Sequence, residues 1–332
     1  KTKHAKKIEG KEVKRAVFNE ISKNAVKEAV AQPREIAMDL VQSQETRRAL
    51  DRHFGFSLSP LLWRLFPSNN HSAGRVQSPA LRMIVEREKE IEAFQPQEYW
   101  SIDAELQKDV RIQAKLSSFE GKPVKKFTFS SKAIVESASA KLESSCKDGL
   151  VASSIIKKPV KRSPKAPFRT ASMAMEASRK LALPPNRAMG LAGSLFQQGL
   201  ITYHRTDSIV IDPSKLSDIH QKITAFYGEN YLEKRVFKNK KGAMNIQEAH
   251  GAITPVDINI TPDEIRSDSG DKNHNDQAKL YAMIWKRTIA SQMKEALFDR
   301  TTIEFKPSNN PDLALFAFSD QELVFEGSLK AT

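Results

Sequence analysis

The sequence predicts a multidomain α+β protein in which a mostly helical domain interrupts a β-rich one. Apolar and polar side chains alternate with period two between Tyr99 and Phe129, and the same period returns between Thr301 and Phe325. Between about 168 and 296 the pattern is largely helical. The simplest arrangement pairs the two distant period-two regions in one β domain and inserts the helical part between them.

The chain divides into five predicted segments. Val13, Val17, Phe18 and Ile21 recur at helical spacing near its start, and Pro33 ends that pattern. We assign residues 1–38 to helices with little core of their own, 39–97 to a compact helical domain and 98–162 to the first part of the β-rich domain. Residues 163–296 form the helical insert that carries Tyr203, and 297–332 form the second part of the β-rich domain.

The second segment contains a helix start. Ser78 fits the N-cap position and Pro79 the first helical position, where the missing N–H of proline costs no hydrogen bond. Apolar residues then follow on one side, at Leu81, Ile84, Val85 and Ile91. We therefore expect a helix that begins after Ser78 within a compact helical domain.

A basic, proline-containing stretch marks the predicted border of the insert. Lys157 to Pro167 reads K-K-P-V-K-R-S-P-K-A-P, and neighbouring prolines and like charges oppose regular structure. Two connections would then join the insert to the β-rich domain, near Lys161 and near Arg300. Such a pair of connections forms a natural hinge, about which the insert is expected to move as one body.

The charge of the chain favours nucleic acid as its partner. The 332 residues carry a formal net charge of +13, which suits a polyanion. A membrane is disfavoured, because no apolar run approaches the roughly 18 residues that a spanning helix requires. The start of the chain lacks the apolar segment of a secretory signal, and the single cysteine, Cys146, excludes an intrachain disulfide framework. We expect a cytoplasmic protein.

The stretch from Gly199 to Ser208, G-L-I-T-Y-H-R-T-D-S, carries the strongest chemical signal. Tyr203 offers a nucleophilic oxygen, and Arg205 offers a planar cationic fork for a phosphate and the charge that develops on it. Thr206 and Asp207 add polar groups. Taken alone, the pattern also fits a tyrosine packed in a core with its hydroxyl bonded to a neighbour.

This stretch closely resembles the nucleophile segment of type IA DNA topoisomerases. Four other segments resemble that family in the same order, namely Asn19 to Ile21, Glu45 to Arg52, Ser72 to Ser78 and Gln247 to His250. The resemblance extends from about Val13 to about Lys330 and covers nearly the whole chain. It implies a β-rich arch carrying a mostly helical domain that closes a toroid and swings away to pass DNA.

The resemblance assigns roles to individual residues. Tyr203 would form a 5′-phosphotyrosine with a cleaved single strand, Arg205 would stabilise the reacting phosphate, and His250 would lie near the cleavage site. Contacts with single-stranded DNA would fall on Arg48, Arg52, Ser72, Arg75, Gln77, Thr206 and Asp207. The alternative for the arginines is a solvated charged face, and for Ser72 to Ser78 an ordinary capped turn. Gly251 and Thr254 depart from the glutamate and arginine that usually follow the family's histidine.

The implied reaction relaxes negative supercoils without ATP, acting on single-stranded and negatively supercoiled duplex DNA. The family's magnesium ion is held by an Asp-x-Asp pair in a Toprim domain, and no Asp-x-Asp occurs in this sequence. We therefore expect no metal ligands and no tightly bound cofactor in this chain, a truncation at both ends, and no relaxation by this chain alone. The resemblance also implies a monomer associated with the nucleoid in a bacterial cytoplasm.

Two other functions match part of the sequence pattern. A noncatalytic module that only binds single-stranded DNA fits the same basic residues. A tyrosine recombinase also combines tyrosine with arginines, but none of the seven histidines is followed by arginine three residues later. Nucleotide-driven chemistry is disfavoured, because neither G-x-G-x-x-G nor a Walker A pattern occurs.

Overall fold

The structure, a computed structural model, describes residues 12–67, 71–107, 110–239, 251–265 and 272–332. The chain forms two compact units. The first combines the start of the chain with Arg34–Trp100 and Lys126–Val135, and the second consists of Ala16–Pro33, Ser101–Lys125 and Glu136–Thr332. Within the described ranges, no helix is long and apolar enough to cross a membrane.

The first helix of the second unit, α1 (Lys23–Ala31), begins later than the sequence pattern suggests. Ser22 caps it, because its hydroxyl accepts a hydrogen bond of 3.2 Å from the Ala25 amide. Residues 12–22 are outside any regular helix, so the predicted helix through Val13 and Ile21 is wrong. The physical reason is a competing partner: the Asn19 carbonyl accepts from the Tyr203 amide at 2.9 Å instead of from an amide of its own segment.

The first unit contains α2 (Met38–Leu65) and α3 (Gln77–Glu92), which confirms the helical prediction for this region. The expected helix start at Ser78 is wrong by a short distance, because α3 already begins at Gln77 and Ser78 lies in its first turn. In the described part of the chain, α2 and α3 do not form a compact core with each other. Only Ser59 of α2 and no residue of α3 is buried, and Leu81 and Ile84 are 61% and 64% exposed.

The second unit contains an antiparallel sheet built from both ends of the predicted β region. Its strands are β1 (Asp103–Gln107), β2 (Arg111–Phe119), β3 (Lys122–Pro123), β4 (Leu150–Arg162), β5 (Ala296–Pro307) and β6 (Ala314–Phe325). The strand order is β1-β2-β6-β5-β4, with β3 paired to β2. Because β2 pairs with β6 and β4 with β5, the predicted union of the two distant regions is confirmed.

Two parts of the β prediction are wrong. The alternation from Val124 to Phe129 forms no strand of its own, and only an isolated bridge joins Phe129 to Trp100. A helix that the pattern did not indicate, α4 (Lys132–Ser145), follows this region. Short stretches of mixed polarity thus leave the period ambiguous, and the fold decides it.

The basic stretch with its prolines is regular over its first half, contrary to the prediction. Lys157 to Arg162 continue β4 and pair with β5 residue by residue, including Pro159 opposite Asp299. The reason is that β4 is an edge strand of the sheet. An edge strand tolerates proline on its outer side, and its lysines keep a second chain from pairing there.

The insert between β4 and β5 is largely helical, as predicted. Its helices are α5 (Thr170–Leu181), α6 (Pro185–Gln197), α7 (Pro213–Tyr227), α8 (Pro262–Ile265) and α9 (Lys272–Ser291). Their apolar sides form one core, in which Leu195, Ile223 and Ile284 are fully buried. Loop 251–261 is held on α9, because the Tyr281 hydroxyl donates to the Ile260 carbonyl at 2.8 Å.

The insert has a third attachment besides the two predicted connections. After β6, a short 3₁₀ helix (Gly327–Ala331) packs against α9, where Ala331 belongs to the buried core. The Ser328 amide donates to the Lys294 carbonyl at 2.8 Å. The expectation of only two tethers is therefore wrong, and the borders of the insert are Ser163 and Glu295, whose side chains share a hydrogen bond of 2.5 Å.

We expect Gly327→Ala to destabilise the chain by about 1–3 kcal/mol. Gly327 has a φ of +49°, and an added Cβ would lie 2.4 Å from the Glu295 carbonyl oxygen. The matched control is Gly190→Ala in α6, where no atom lies within 4 Å of the added Cβ and helix propensity should raise stability by about 0.5–1 kcal/mol. Urea unfolding followed by circular dichroism measures both. Equal midpoints for the two variants would contradict the packing of this segment.

Candidate active site

The backbone around Tyr203 is irregular and is held from two sides. The Tyr203 amide donates to the Asn19 carbonyl at 2.9 Å. On the other side, the Thr202 amide donates to the Thr254 carbonyl at 2.9 Å, and the Thr202 hydroxyl accepts from the Thr254 amide at 3.0 Å. These bonds replace the ladder of a sheet and fix the position of the segment.

Side chains along this segment alternate between the interior and the surface. His204, Thr206 and Ser208 are only 8%, 7% and 2% exposed. Tyr203 is half-buried, whereas Arg205 and Asp207 are exposed. The alternation therefore presents the tyrosine and the arginine on the accessible side of a backbone that is anchored by the residues between them.

Thr170, at the start of α5, is the contact that sequence reasoning missed. Its hydroxyl donates to the His204 carbonyl at 2.7 Å and accepts from the Thr206 amide at 2.8 Å. Its own amide donates to the Thr206 carbonyl at 2.9 Å. The peptide groups on both sides of Arg205 are thus held by one threonine, and a polar residue at a helix start is the only sequence signal for it.

The Tyr203 ring packs against two other rings. Its centroid lies 5.3 Å from that of Phe196 in an edge-on arrangement and 5.5 Å from that of His204. Burial, followed by the charge of Arg205, holds the pKa of His204 below its usual value. Its Nδ1 is buried and finds no hydrogen-bond partner among the described residues. His204 therefore acts here as a neutral ring that supports the tyrosine.

An ion pair fixes the segment that bonds to Tyr203. Lys215 of α7 pairs with Glu20, and both side chains are less than a fifth exposed. The Ser22 hydroxyl donates to the second oxygen of Glu20 at 2.9 Å. Glu20 is thereby committed to Lys215 and Ser22, next to the Asn19 carbonyl that accepts from Tyr203.

His250 lies outside the described residues, so its predicted role stays untested. The residues after it are described and contact the tyrosine segment. Ala252 accepts from the Thr202 hydroxyl at 2.8 Å, and Thr254 is buried. Thr254 thus has a structural part in holding Thr202 at a position where the resemblance led us to expect an arginine.

The predicted DNA-binding arginines of the first unit lie on α2 and on the turn before α3. Arg48 and Arg52 are exposed, and the Arg52 guanidinium lies 5.6 Å from the centre of the Phe56 ring. Arg75 is bonded to Asp51 at 2.7 Å, which holds the pKa of that carboxyl below its usual value. Arg75 is therefore partly neutralised, whereas Arg48 and Arg52 keep their charge at the surface.

The turn itself is stabilised by its own polar groups. The Ser72 hydroxyl donates to the Gln77 side chain at 3.2 Å, and the Gly74 amide donates to the Ser78 hydroxyl at 3.4 Å. The structure thus places Arg48, Arg52, Ser72, Arg75 and Gln77 in the first unit, and Tyr203, Arg205, Thr206 and Asp207 in the second. Across the described ranges, no cluster of three His, Cys, Asp or Glu side chains could hold a metal ion.

We expect a titration of His204 to give a pKa below the ordinary 6.5. A pKa lower in the folded than in the unfolded state means that protonation favours unfolding. The stability contributed by neutral His204 is therefore present above about pH 6.5 and lost as the pH falls through the folded pKa. Arg205→Gln should raise the pKa, while the control Arg179→Gln on the exposed side of α5 should not. NMR of the ring protons measures this, and a pKa above 6.5 would contradict the burial.

The chain is similar to known proteins over nearly its whole length. The sequence model of a family described as DNA topoisomerase matches residues 35–331. The DNA topoisomerase 1 of Zymomonas mobilis is 39% identical over 325 residues, which cover 98% of this chain and 26% of that protein. The DNA topoisomerase 1 of Xylella fastidiosa strain Temecula1 is 40% identical over 332 residues, covering 97% of this chain and 40% of that protein.

A solved structure agrees with these relatives. The full-length topoisomerase I of Thermotoga maritima matches with a TM-score of 0.74 and 32% identity, covering 96% of this chain and 50% of that one. The chain thus spans well under half of the two curated relatives and half of the solved chain. Because the family match extends over most of the sequence and the fold agrees, the chain belongs to the type IA DNA topoisomerase family.

Proposed function

We propose that the whole protein containing this chain cleaves and rejoins one DNA strand through a 5′-phosphotyrosine at Tyr203, and so relaxes negative supercoils without ATP. The observation that carries the proposal is the anchored backbone on which Tyr203 is half-buried and Arg205 is exposed, while His204 and Thr206 are buried. The net charge of +13 supports a DNA substrate. The relatives named DNA topoisomerase 1 support the reaction class.

The proposed reaction is an exchange of phosphodiester bonds. The Tyr203 hydroxyl oxygen attacks a phosphorus of single-stranded DNA, a phosphorus–oxygen bond to tyrosine forms, and the bond to the 3′-oxygen breaks. The phenolic proton leaves the tyrosine, and the 3′-oxygen takes up a proton. Rejoining is the reverse. Since one phosphodiester replaces another, no nucleotide has to be hydrolysed.

Arg205 is proposed to hold the reacting phosphate. Its guanidinium is exposed one residue beyond the ring of His204, and its two parallel N–H groups match two phosphate oxygens. Charge-assisted bonds of this kind stabilise the negative charge that grows at the phosphorus. Thr206 is proposed to position the segment, because it is buried and its hydroxyl accepts from the Ser208 amide at 3.1 Å. Asp207 is exposed and is proposed to contact DNA.

The first unit is proposed to bind the single strand. Arg48 and Arg52 offer two exposed charges on one helix, and Arg75, shared with Asp51, offers less. Ser72 and Gln77 add polar groups in the turn. These residues neutralise phosphates without reading sequence.

We propose that magnesium would be held by residues elsewhere in the whole protein, where it would supply positive charge to the oxygen atoms of the reacting phosphate. The described residues do not provide a ligand set for a metal ion. We also propose that the protein acts as a monomer in the bacterial cytoplasm. The competing function is a module that binds single-stranded DNA without cleaving it, and trapping of a covalent complex with DNA separates the two.

In the whole protein, Tyr203→Phe should abolish DNA cleavage, because no phenolic oxygen remains to attack. Arg205→Lys should lower cleavage by roughly 10² or more, because lysine keeps the charge but loses the bidentate fork. Trapping of the covalent complex on a labelled single strand measures both. The controls are Tyr227→Phe in α7 and Arg179→Lys on α5, which should cleave as the unaltered protein does. Cleavage by Tyr203→Phe would exclude this nucleophile, and normal binding without any cleavage by the unaltered protein would favour the binding module.

The double change Arg48→Ala with Arg52→Ala should weaken binding of single-stranded DNA and flatten its salt dependence. Each lost phosphate contact removes about 0.7 from the slope of log affinity against log salt. Fluorescence anisotropy across a salt series measures the slope. Arg82→Ala with Arg87→Ala is the matched control, because both arginines are exposed on α3 but paired with Glu86 and Glu90. Equal slopes for the two double variants would mean that Arg48 and Arg52 belong to a solvated charged face and do not contact DNA.

A further inference from the structure

A pocket of about 470 Å³ lies between α5 and α9, apart from the tyrosine segment. Its volume is in the range of sites for small organic ligands. Leu181, Ala282 and Met283 provide apolar lining, and the flexible side chains of Lys180, Lys279 and Lys286 stand around it. The pocket thus combines an apolar interior with a cationic rim.

The charge of the rim is not cancelled by the acidic residue in the pocket. Glu176 is bonded to Arg287 and lies 3.1 Å from Lys180. Burial opposes the ionisation of Glu176, but its bonds to these two cations outweigh burial and hold its pKa below the usual value. The Glu176 carboxylate is therefore paired with Arg287 and Lys180 and does not neutralise the other lysines of the rim.

Two lysines of the rim have no acidic partner among the residues that the structure describes. Among the described residues, no carboxylate lies within ion-pair distance of Lys279 or Lys286, and both side chains are exposed on α9. They are seven residues apart, which on an α-helix is two turns on one face or about 10 Å. Together they form a surface that attracts an extended anion.

The combination fits a nucleotide. A base has an apolar face that packs on leucine and methionine in a sequence-tolerant manner, and its phosphates carry the charge that lysines neutralise. Lysine is a flexible point charge and needs no fixed phosphate geometry, in contrast to the fork of Arg205. A site of this chemistry would hold a strand without selecting its sequence.

The pocket and the tyrosine segment share one helix. Thr170 at the start of α5 bonds to the backbone on both sides of Arg205, and Glu176 at the pocket follows six residues later. Six residues of α-helix advance by about 9 Å. A strand held at Tyr203 would therefore reach the pocket within a few nucleotides.

We propose that this pocket is a subsite for one nucleotide that lies a few positions from the scissile phosphate in the strand bound at Tyr203. The proposal rests on the proposed function of Tyr203. It adds a second hold on the strand, within the same helical part as the nucleophile, so that the strand stays in place while the bond is open.

The test uses the chain and a short fluorescein-labelled oligothymidylate. Lys279→Ala with Lys286→Ala removes the charge, and Ala282→Phe fills the pocket while keeping every charge. Each should lower the affinity about fivefold or more, the range expected for losing one stacked base. Arg179→Ala with Lys272→Ala is the matched control, because both residues are exposed on the same two helices outside the pocket. Circular dichroism verifies that the variants fold.

A second measurement locates the base directly. 5-Iodouracil placed at successive positions of the oligonucleotide should cross-link to peptides of α5 or α9 from one position only, and Ala282→Phe should abolish that cross-link. If the chain binds the oligonucleotide, responds to Arg48→Ala with Arg52→Ala, and is unaffected by both pocket variants, the subsite is excluded while the proposed function stands. If the unaltered chain does not bind single-stranded DNA, the subsite is excluded, while the cleavage proposed for the whole protein is decided by the Tyr203→Phe experiment.

Discussion

The pairing of β4 with β5 is the interaction on which the arrangement of the second unit depends. The two strands pair from Leu150 opposite Pro307 to Arg162 opposite Ala296, with one register shift between Ala152 and Ser154. Because the chain leaves the sheet after one strand and returns in the other, the two ends of the helical insert lie one strand spacing apart, about 4.8 Å. The hydrogen bond between Ser163 and Glu295 continues this pairing into the insert. A long helical segment can therefore interrupt the sheet without disturbing its register.

The tyrosine segment shows how an irregular backbone is made rigid. It has no strand ladder, yet its amides and carbonyls bond to Asn19, Thr254 and Thr170 from three different parts of the chain. His204 and Thr206 are buried, and Arg205, which lies between them in the chain, is exposed at the surface. The position of Tyr203 is set by its neighbours rather than by a regular element, and the role of nucleophile proposed for it requires such a defined position.

The sequence was informative where local pattern and tertiary structure agree. Period two predicted β1, β2, β5 and β6, and the helical pattern predicted the insert and α2. It failed where a distant partner decides: Asn19 bonds to a residue 184 positions away and forms no helix, and Pro159 is accepted because β4 is at the sheet edge. No periodicity reports either fact.

The candidate site was predictable to a similar degree. Tyr203 and Arg205 were found from their own chemistry and from family resemblance, and the structure presents both on an accessible side. The bonds of Thr170, 34 and 36 positions before its partners, leave no signal in spacing. The roles of the site residues in catalysis and DNA binding stay predictions.

The third attachment adds to the two connections from which a hinge was expected, and the hinge itself stays a prediction. Arg162 is opposite Ala296, and Leu297 of the same strand is opposite Phe325, so all three connections leave the sheet at one end. They lie on three adjacent strands and span about 10 Å across the sheet. Attachments in one row define a single axis, about which a body can turn while the sheet keeps its pairing. The packing of Gly327–Ala331 on α9 would then be carried with the insert, and the bending would fall on the residues just beyond the paired ends.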